Sequence, residues 1–122
     1  MNPNPVVWFE VYVQDMDRAR TFYGSVLQTT LERLPGSELE MWSFPMRQGQ
    51  AGAAGALVKM AGVASGGSTL VYFSCDDCAV EESRVEPRGG RIERAKRSIG
   101  DHGFISLVVD SEGNMVGLHS TK

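Results

Sequence analysis

The first strongly patterned stretch is VVWFEVYV, residues 6–13, in which Phe9, Val11 and Val13 hold the odd positions while Trp8, Glu10 and Tyr12 hold the even ones. A two-residue period is that of a β-strand, and bulk on both sides predicts that both faces are covered. Asp15 then stands where a helix N-cap belongs, and Met16, Ala19, Phe22, Tyr23, Val26 and Leu27 recur at steps of three and four. That spacing predicts a helix. Three short strands are expected next, in TTLERL, LEMWSF and GALVKM, separated by Pro35-Gly36 and by the glycine-rich RQGQAGAAG.

After the small-residue stretch AGVASGGS, residues 61–68, the same order restarts. TLVYFSC reads as a strand, DDCAVEESRVE as a helix stopped by Pro87 and Gly89-Gly90, and RIERAKRSI, GFISLVVD and NMVGLHS as strands. The chain therefore divides into a first βαβββ unit of about residues 5–60, a linker of about 61–67 and a second unit of about 68–121, within one domain spanning residues 1–122. Val13-Gln14-Asp15 matches Cys75-Asp76-Asp77 at an offset of 62, whereas an offset of 60 superposes Val11, Tyr12, Asp17 and Ala19 on Val71, Tyr72, Asp77 and Ala79. Both offsets are even, so both assign the same residues to the same sheet face. The larger is preferred because it aligns the apolar strand ends and the capping aspartates.

Composition narrows the function. With 12 basic and 15 acidic residues interspersed and a net charge of −3, the chain has no cationic footprint for nucleic acid or for an anionic membrane surface. It lacks a long apolar run and a leader-like N-terminus, so a soluble, cytoplasmic protein is expected. Cys75 and Cys78 are the only cysteines. Their C-x-x-C spacing invites a redox or zinc reading, but one pair makes no zinc site alone, and the expected role is two reduced structural thiols. GQAGAAGALVK lacks the spacing of a phosphate-binding loop, and PRGGR is a single helix-to-strand turn.

The tandem βαβββ order, the strand-to-helix stretch VYVQDMDRARTFY and the closing hairpin VVDSEGNMVGLHS together resemble the vicinal oxygen chelate superfamily, in particular its glyoxalase and bleomycin-resistance-like group. The resemblance covers nearly the whole chain. It implies an α+β fold in which two units form curved mixed sheets around a cleft, and in many members a divalent metal held by one residue from the first and last strand of each unit. Carried onto this sequence, those positions fall on Trp8, on Leu70 (or Ser68 at the shorter offset), on Gly117, and on Gly55 or Leu57. None is His, Glu, Asp or Cys; indole is only a donor, and Leu and Gly side chains offer no lone pair. The expectation is therefore a metal-free site without a cofactor, so that fold analogy supplies neither lyase nor dioxygenase activity.

Two residues along the same strand faces lie Glu10 and Tyr12, Tyr72 and His119. Under the family geometry these side chains converge on the cleft. Glu10 and His119 could work as an acid/base pair with Tyr72 as donor, and the same atoms would equally bind a polar ligand. His119 is close to the end of the sequence, where a strand often frays, and His102 is expected in a surface turn. Trp8, Tyr12, Tyr72, Met41 and Trp42 supply aromatic or apolar walls, some of them facing the concave side. The expected ligand-binding set is Trp8, Glu10, Tyr12, Leu57, Leu70, Tyr72, Gly117 and His119. The leading expectation is a homodimer that binds a small, partly apolar molecule, in the manner of resistance proteins that sequester a drug. The alternative is a lyase, isomerase or dioxygenase-related enzyme using Glu10, His119 and Tyr72. A third class is a module that binds a partner through a sheet edge.

Overall fold

The computed structural model describes residues 4–62 and 69–122. Ser68 and residues 63–67 of the expected linker lie outside them. In chain order come β1 (Val6–Val13), α1 (Met16–Val26), β2 (Glu32–Arg33), β3 (Glu40–Ser43), β4 (Ala54–Lys59), β5 (Thr69–Ser74), α2 (Cys78–Ser83), β6 (Arg91–Ser98), β7 (Phe104–Val109) and β8 (Met115–Ser120), with short 3-10 turns at Glu86–Arg88 and Gly100–His102. The chain clusters into an N-terminal unit, Trp8–Thr69, and a C-terminal unit, Leu70–Lys122 together with the residues through Val7.

The two units repeat one topology. In the first the strand order is β2-β3-β4-β1, with β1 and β4 parallel and the other pairs antiparallel. In the second the order is β5-β8-β7-β6, with β5 and β8 parallel and the rest antiparallel. Each is a βαβββ unit with a mixed sheet, so the α+β class expected from the sequence is the observed one. The caps settle the internal register: Asp15 accepts from the Arg18 amide, and Asp77 accepts from the Ala79 amide, each at 3.0 Å. Both aspartates are N-caps, as the offset of 62 requires. No helix among the described residues is long and apolar enough to cross a membrane.

In the N-terminal unit α1 covers the odd face of β1. Val13, Met16, Leu31 and Leu57 form the buried centre, with Val11, Ala19, Tyr23, Trp42 and Phe44 around it. Each fully buried aliphatic side chain contributes roughly 1.5–3 kcal/mol. The stripe predicted for the helix divides here: Met16, Ala19 and Tyr23 turn inward, while Phe22, Val26 and Leu27 are exposed. The C-terminal core is Cys75, Cys78, Val108 and Leu118, flanked by Phe73, Val85, Ile92, Phe104 and Val116. Both thiols are buried and free. Burial, followed by the charge of Glu81, pushes the Cys75 thiol up to about 11, away from the reactive thiolate range of a redox cysteine.

One glycine in each unit seats an aromatic ring from the neighbouring parallel strand. A methyl added to Gly55 would stand 2.5 Å from the ring of Phe9, and one added to Gly117 would stand 2.2 Å from the ring of Tyr72. Both are registered pairs, Phe9 with Gly55 and Tyr72 with Gly117, the arrangement in which an aromatic shields an otherwise bare glycine backbone. Because Tyr72 pairs with Gly117 and Glu10 with Ala56, the counterpart of Gly117 in the first unit is Ala56, between the two positions expected from the sequence.

At the edge of the C-terminal sheet, Lys96 donates to Asp77 at 2.8 Å and lies over the ring of Phe104. The ion pair fastens β6 to the start of α2. The hydrogen bond from Lys96 holds the Asp77 carboxyl below the ordinary aspartate value, helped by the Ala79 amide, and the bond to Asp77 raises the Lys96 ammonium.

Two outcomes follow from this packing. Gly117→Ala should lower stability by about 1–3 kcal/mol in urea unfolding, the usual cost of overpacking. That cost should shrink in a Tyr72→Ala background, because the two positions share one space. For Asp77, whose folded pKa is depressed, the stabilisation is fully present above the unfolded value of about 3.9 and is lost as pH falls through the lower folded value. Urea midpoints of the wild type and of Asp77→Asn should therefore differ at neutral pH and converge in acid below that range.

Candidate functional site

The even face of β1 points away from α1 and carries Trp8, Glu10 and Tyr12, all half-buried. The strand pleat places them in one row, and the side chains bond to one another. The Trp8 indole donates to Glu10 Oε2 at 3.1 Å, and the Tyr12 hydroxyl donates to Glu10 Oε1 at 2.8 Å. Each carboxylate oxygen thus receives one donor, out of about four acceptor positions on the group. Among the described residues no cation pairs with Glu10.

A second copy of the same local chemistry sits on β3 and is completed differently. The Trp42 indole donates to Glu40 Oε2 at 3.0 Å, and the guanidinium of Arg20, from α1, lies 3.4 Å above the Trp42 ring. Trp42 faces the helix, where the chain supplies a cation of its own. Met41 lies on the other face, registered with Val58. The row on β1 has the acid and the indole without the cation, and adds a phenol.

In the C-terminal unit the corresponding face of β5 and β8 carries Leu70, Tyr72, Gly117 and His119. His119 does not lie on a frayed end. β8 is an interior strand between β5 and β7, and His119 is registered with Ser74 on one side and Ile105 on the other. Its Nε2 donates to the carbonyl of His102 at 2.6 Å. A carbonyl only accepts, so the neutral ring carries its proton on Nε2 and offers Nδ1 as an acceptor. His102 lies in an exposed turn, as expected. Its contribution is main-chain, which no residue pattern could signal.

Two members of the expected set change role. Leu57 is fully buried and belongs to the core beneath α1, because its registered partner is Val11 on the helix face and not Glu10. Gly117 leaves no room for a ligand group, since the ring of Tyr72 occupies the space a side chain would take. Leu70 and Tyr72 are buried as well.

The same contacts bear on a divalent metal. Trp8 presents a donor that is already committed to Glu10, Leu70 and Ala56 have no lone pairs, and any side chain at Gly117 would meet Tyr72. Among the described residues no group of three His, Cys, Asp or Glu is placed to hold a metal ion. The residues at these positions do not fit one. Elsewhere, an open depression of about 330 Å³ is lined by Asp17, Arg20, Thr21, Thr29, Thr30 and Leu31. Arg20 there is engaged by Asp17 and Trp42, and Thr21 donates to the Asp17 carbonyl.

No family model matches the sequence, and no curated protein matches it. Solved structures do match in fold. A hypothetical protein, BH1468 from Bacillus halodurans C-125, superposes with a TM-score of 0.70 at 12% identity, covering 99% of this chain and 96% of that one. Methylmalonyl-CoA epimerase from Mycobacterium tuberculosis gives 0.67 at 16% identity, over 100% and 93%. A variant of the Streptomyces coelicolor methylmalonyl-CoA epimerase, in complex with 2-nitronate-propionyl-CoA, gives 0.66 at 14% identity, over 96% of each chain. The likeness is one of fold, and the fold of this chain is that of the vicinal oxygen chelate superfamily, to which methylmalonyl-CoA epimerase belongs.

Proposed function

We propose that this protein binds a small, partly apolar molecule bearing an N–H or O–H donor, and that the Trp8–Glu10–Tyr12 row receives it without a metal ion. The observation that carries this reading is the state of Glu10: its carboxylate is aligned by two aromatic donors and keeps acceptor capacity, yet no cation of the described chain answers its charge. Around Trp42 the chain supplies a cation of its own, Arg20, which lies over the indole that Glu40 accepts from and is ion-paired with Asp17. On β1 the ligand supplies the cation, and a protonated amine suits the carboxylate and the flanking rings together. Small-molecule binding is in keeping with the fold, which in one structural relative holds methylmalonyl-CoA.

A second reading, proton transfer of the lyase or isomerase kind, is favoured by one observation. With Nε2 tied to the His102 carbonyl, His119 presents a basic Nδ1 in a fixed orientation, a known way of poising an imidazole as a general base. We further propose that the chain is a homodimer. Phe22, Val26 and Leu27 leave an apolar patch on the outer side of α1, more than half exposed at each residue, and such patches mark contact surfaces.

A thermal-shift screen of aromatic and aliphatic amines, followed by calorimetry on hits, tests the binding reading. Trp8→Ala should weaken a hit by about 1–3 kcal/mol, and Glu10→Gln should select against amines more than against neutral analogues. Equal affinity of Glu10→Gln for both classes, with the fold intact, would move the site elsewhere. Solvent deuterium entering a bound hit, and lost in His119→Ala, would replace the binder with the enzyme. Light scattering should find a dimer at micromolar concentration and a monomer for Phe22→Asp. A wild-type monomer would end the dimer proposal.

A further inference from the structure

The strand β6 reads RIERAKRS, and a regular pleat would send Arg91, Glu93, Ala95 and Arg97 to one face, with Ile92, Arg94, Lys96 and Ser98 on the other. The structure departs from that pattern. The β6–β7 register shifts twice, between Ile92 and Arg94 and again between Arg94 and Arg97. Arg91 is registered with Val109, Arg94 with Leu107 and Arg97 with Ile105. Those β7 residues alternate with Phe104 and Val108, which pack in the core with Cys78 of α2. The three arginines therefore share the face turned away from α2, and all three are exposed.

The irregularity is held from the protein side. The Lys96 amide, inside the shifted segment, donates to Glu82 Oε2 of α2 at 2.6 Å, and the Arg94 carbonyl accepts from the buried Ser106 hydroxyl at 3.1 Å. The main-chain groups released by the bulges thus find side-chain partners, and Lys96 is turned toward Asp77 on the helix side. A bulge fixed in this way re-aims side chains. Of the three arginines, Arg91 is ion-paired with Glu93, while among the described residues Arg94 and Arg97 have no carboxylate partner. Beside them run the apolar Leu107 and Ile105, and next in the register come Gly117 under the Tyr72 ring, and His119.

The geometry points to an anion site on this face, in which Arg94 and Arg97 together take the phosphate groups of a small phosphorylated molecule whose apolar part lies against the half-buried Leu107. Two guanidinium forks three residues apart on a strand stand roughly 10 Å apart or less at their backbones. Their long side chains reach inward from there, and planar forks bind phosphate oxygens in a bidentate manner. A phosphorylated small molecule is favoured over a macromolecular polyanion because the chain as a whole is acidic, so the attraction is local to the pair. The site lies within the C-terminal unit and does not depend on the reading of Glu10.

Inorganic pyrophosphate is the direct probe, with citrate as a polyanion lacking phosphate, followed by the side-chain Nε–Hε signals of the arginines in proton–nitrogen correlation spectra. Pyrophosphate should shift Arg94 and Arg97 saturably while leaving Arg84 and Arg88 in place. Arg94→Gln and Arg97→Gln should each weaken it about tenfold, the loss of one charge-assisted contact. Both positions are exposed, so urea midpoints should stay unchanged. Glu93→Gln, which frees Arg91, should tighten binding a few-fold. Absence of saturation at millimolar pyrophosphate, equal shifts at every arginine, or binding unaltered in the double variant would overturn the site. Citrate binding as tightly as pyrophosphate would overturn its assignment to phosphate.

Discussion

Each unit of this protein has a four-stranded sheet with two faces and one short helix to cover them, and that shortage governs the rest. α1 has 11 residues and α2 has 6, enough to bury one face. On the covered face the solution is ordinary: Val11, Val13 and Leu57 against Met16 and Tyr23, and Cys75 and Leu118 against Cys78. The other face has no helix of its own unit over it, yet Ala56, Val58, Leu70, Tyr72 and Ile105 on that face are buried as well, so its polar side chains need partners there. They find them in the plane of the sheet: a ring laid over a glycine, an acid bonded to the side chains two residues before and two residues after it, and an imidazole tied to a turn carbonyl. These are short-range devices, and they leave polar capacity that a packed core would have eliminated.

The comparison between Glu10 and Glu40 shows how a single fold element can be structural or receptive according to what the neighbouring element adds. Both acids sit two residues before or after a tryptophan and accept its indole hydrogen. Because Trp42 faces α1, Arg20 reaches its ring while keeping its ion pair with Asp17. Trp8 faces away from the helix, so no residue of α1 can do the same. The difference is one of strand face, and strand face is set by the pleat.

That is also why much of the architecture was legible in the sequence. Period-two alternation in VVWFEVYV, aspartate before each helix and glycine-rich stops specify β1, α1, β5, α2 and the repeat itself, since all are local signals. Face assignments followed for Trp8, Glu10 and Tyr12. They failed at Leu57, because the placement of β4 against β1 depends on the loop between β3 and β4, whose length carries no periodic signal. At Gly117 the expected face is the observed one and the difference lies in the space: the ring of Tyr72 on the next strand fills what a missing side chain leaves. The His119 bond was invisible because its acceptor is a main-chain carbonyl.

The arginines of β6 mark where local reading stops altogether. In RIERAKRS the charges read as a solvated edge, and strict alternation would divide Arg91 and Arg97 from Arg94. What brings them together is a pair of bulges, and what permits the bulges is remote in sequence: Glu82 on α2 and Ser106 on β7 take up the freed amide and carbonyl. Neither partner is an unusual residue, and neither position is marked by spacing. Bulged main-chain groups left unpaired beside a core would each cost about 1–3 kcal/mol, so the regular strand would win without them. The disposition of charge on this face is therefore decided by two neutralised backbone groups on the opposite one.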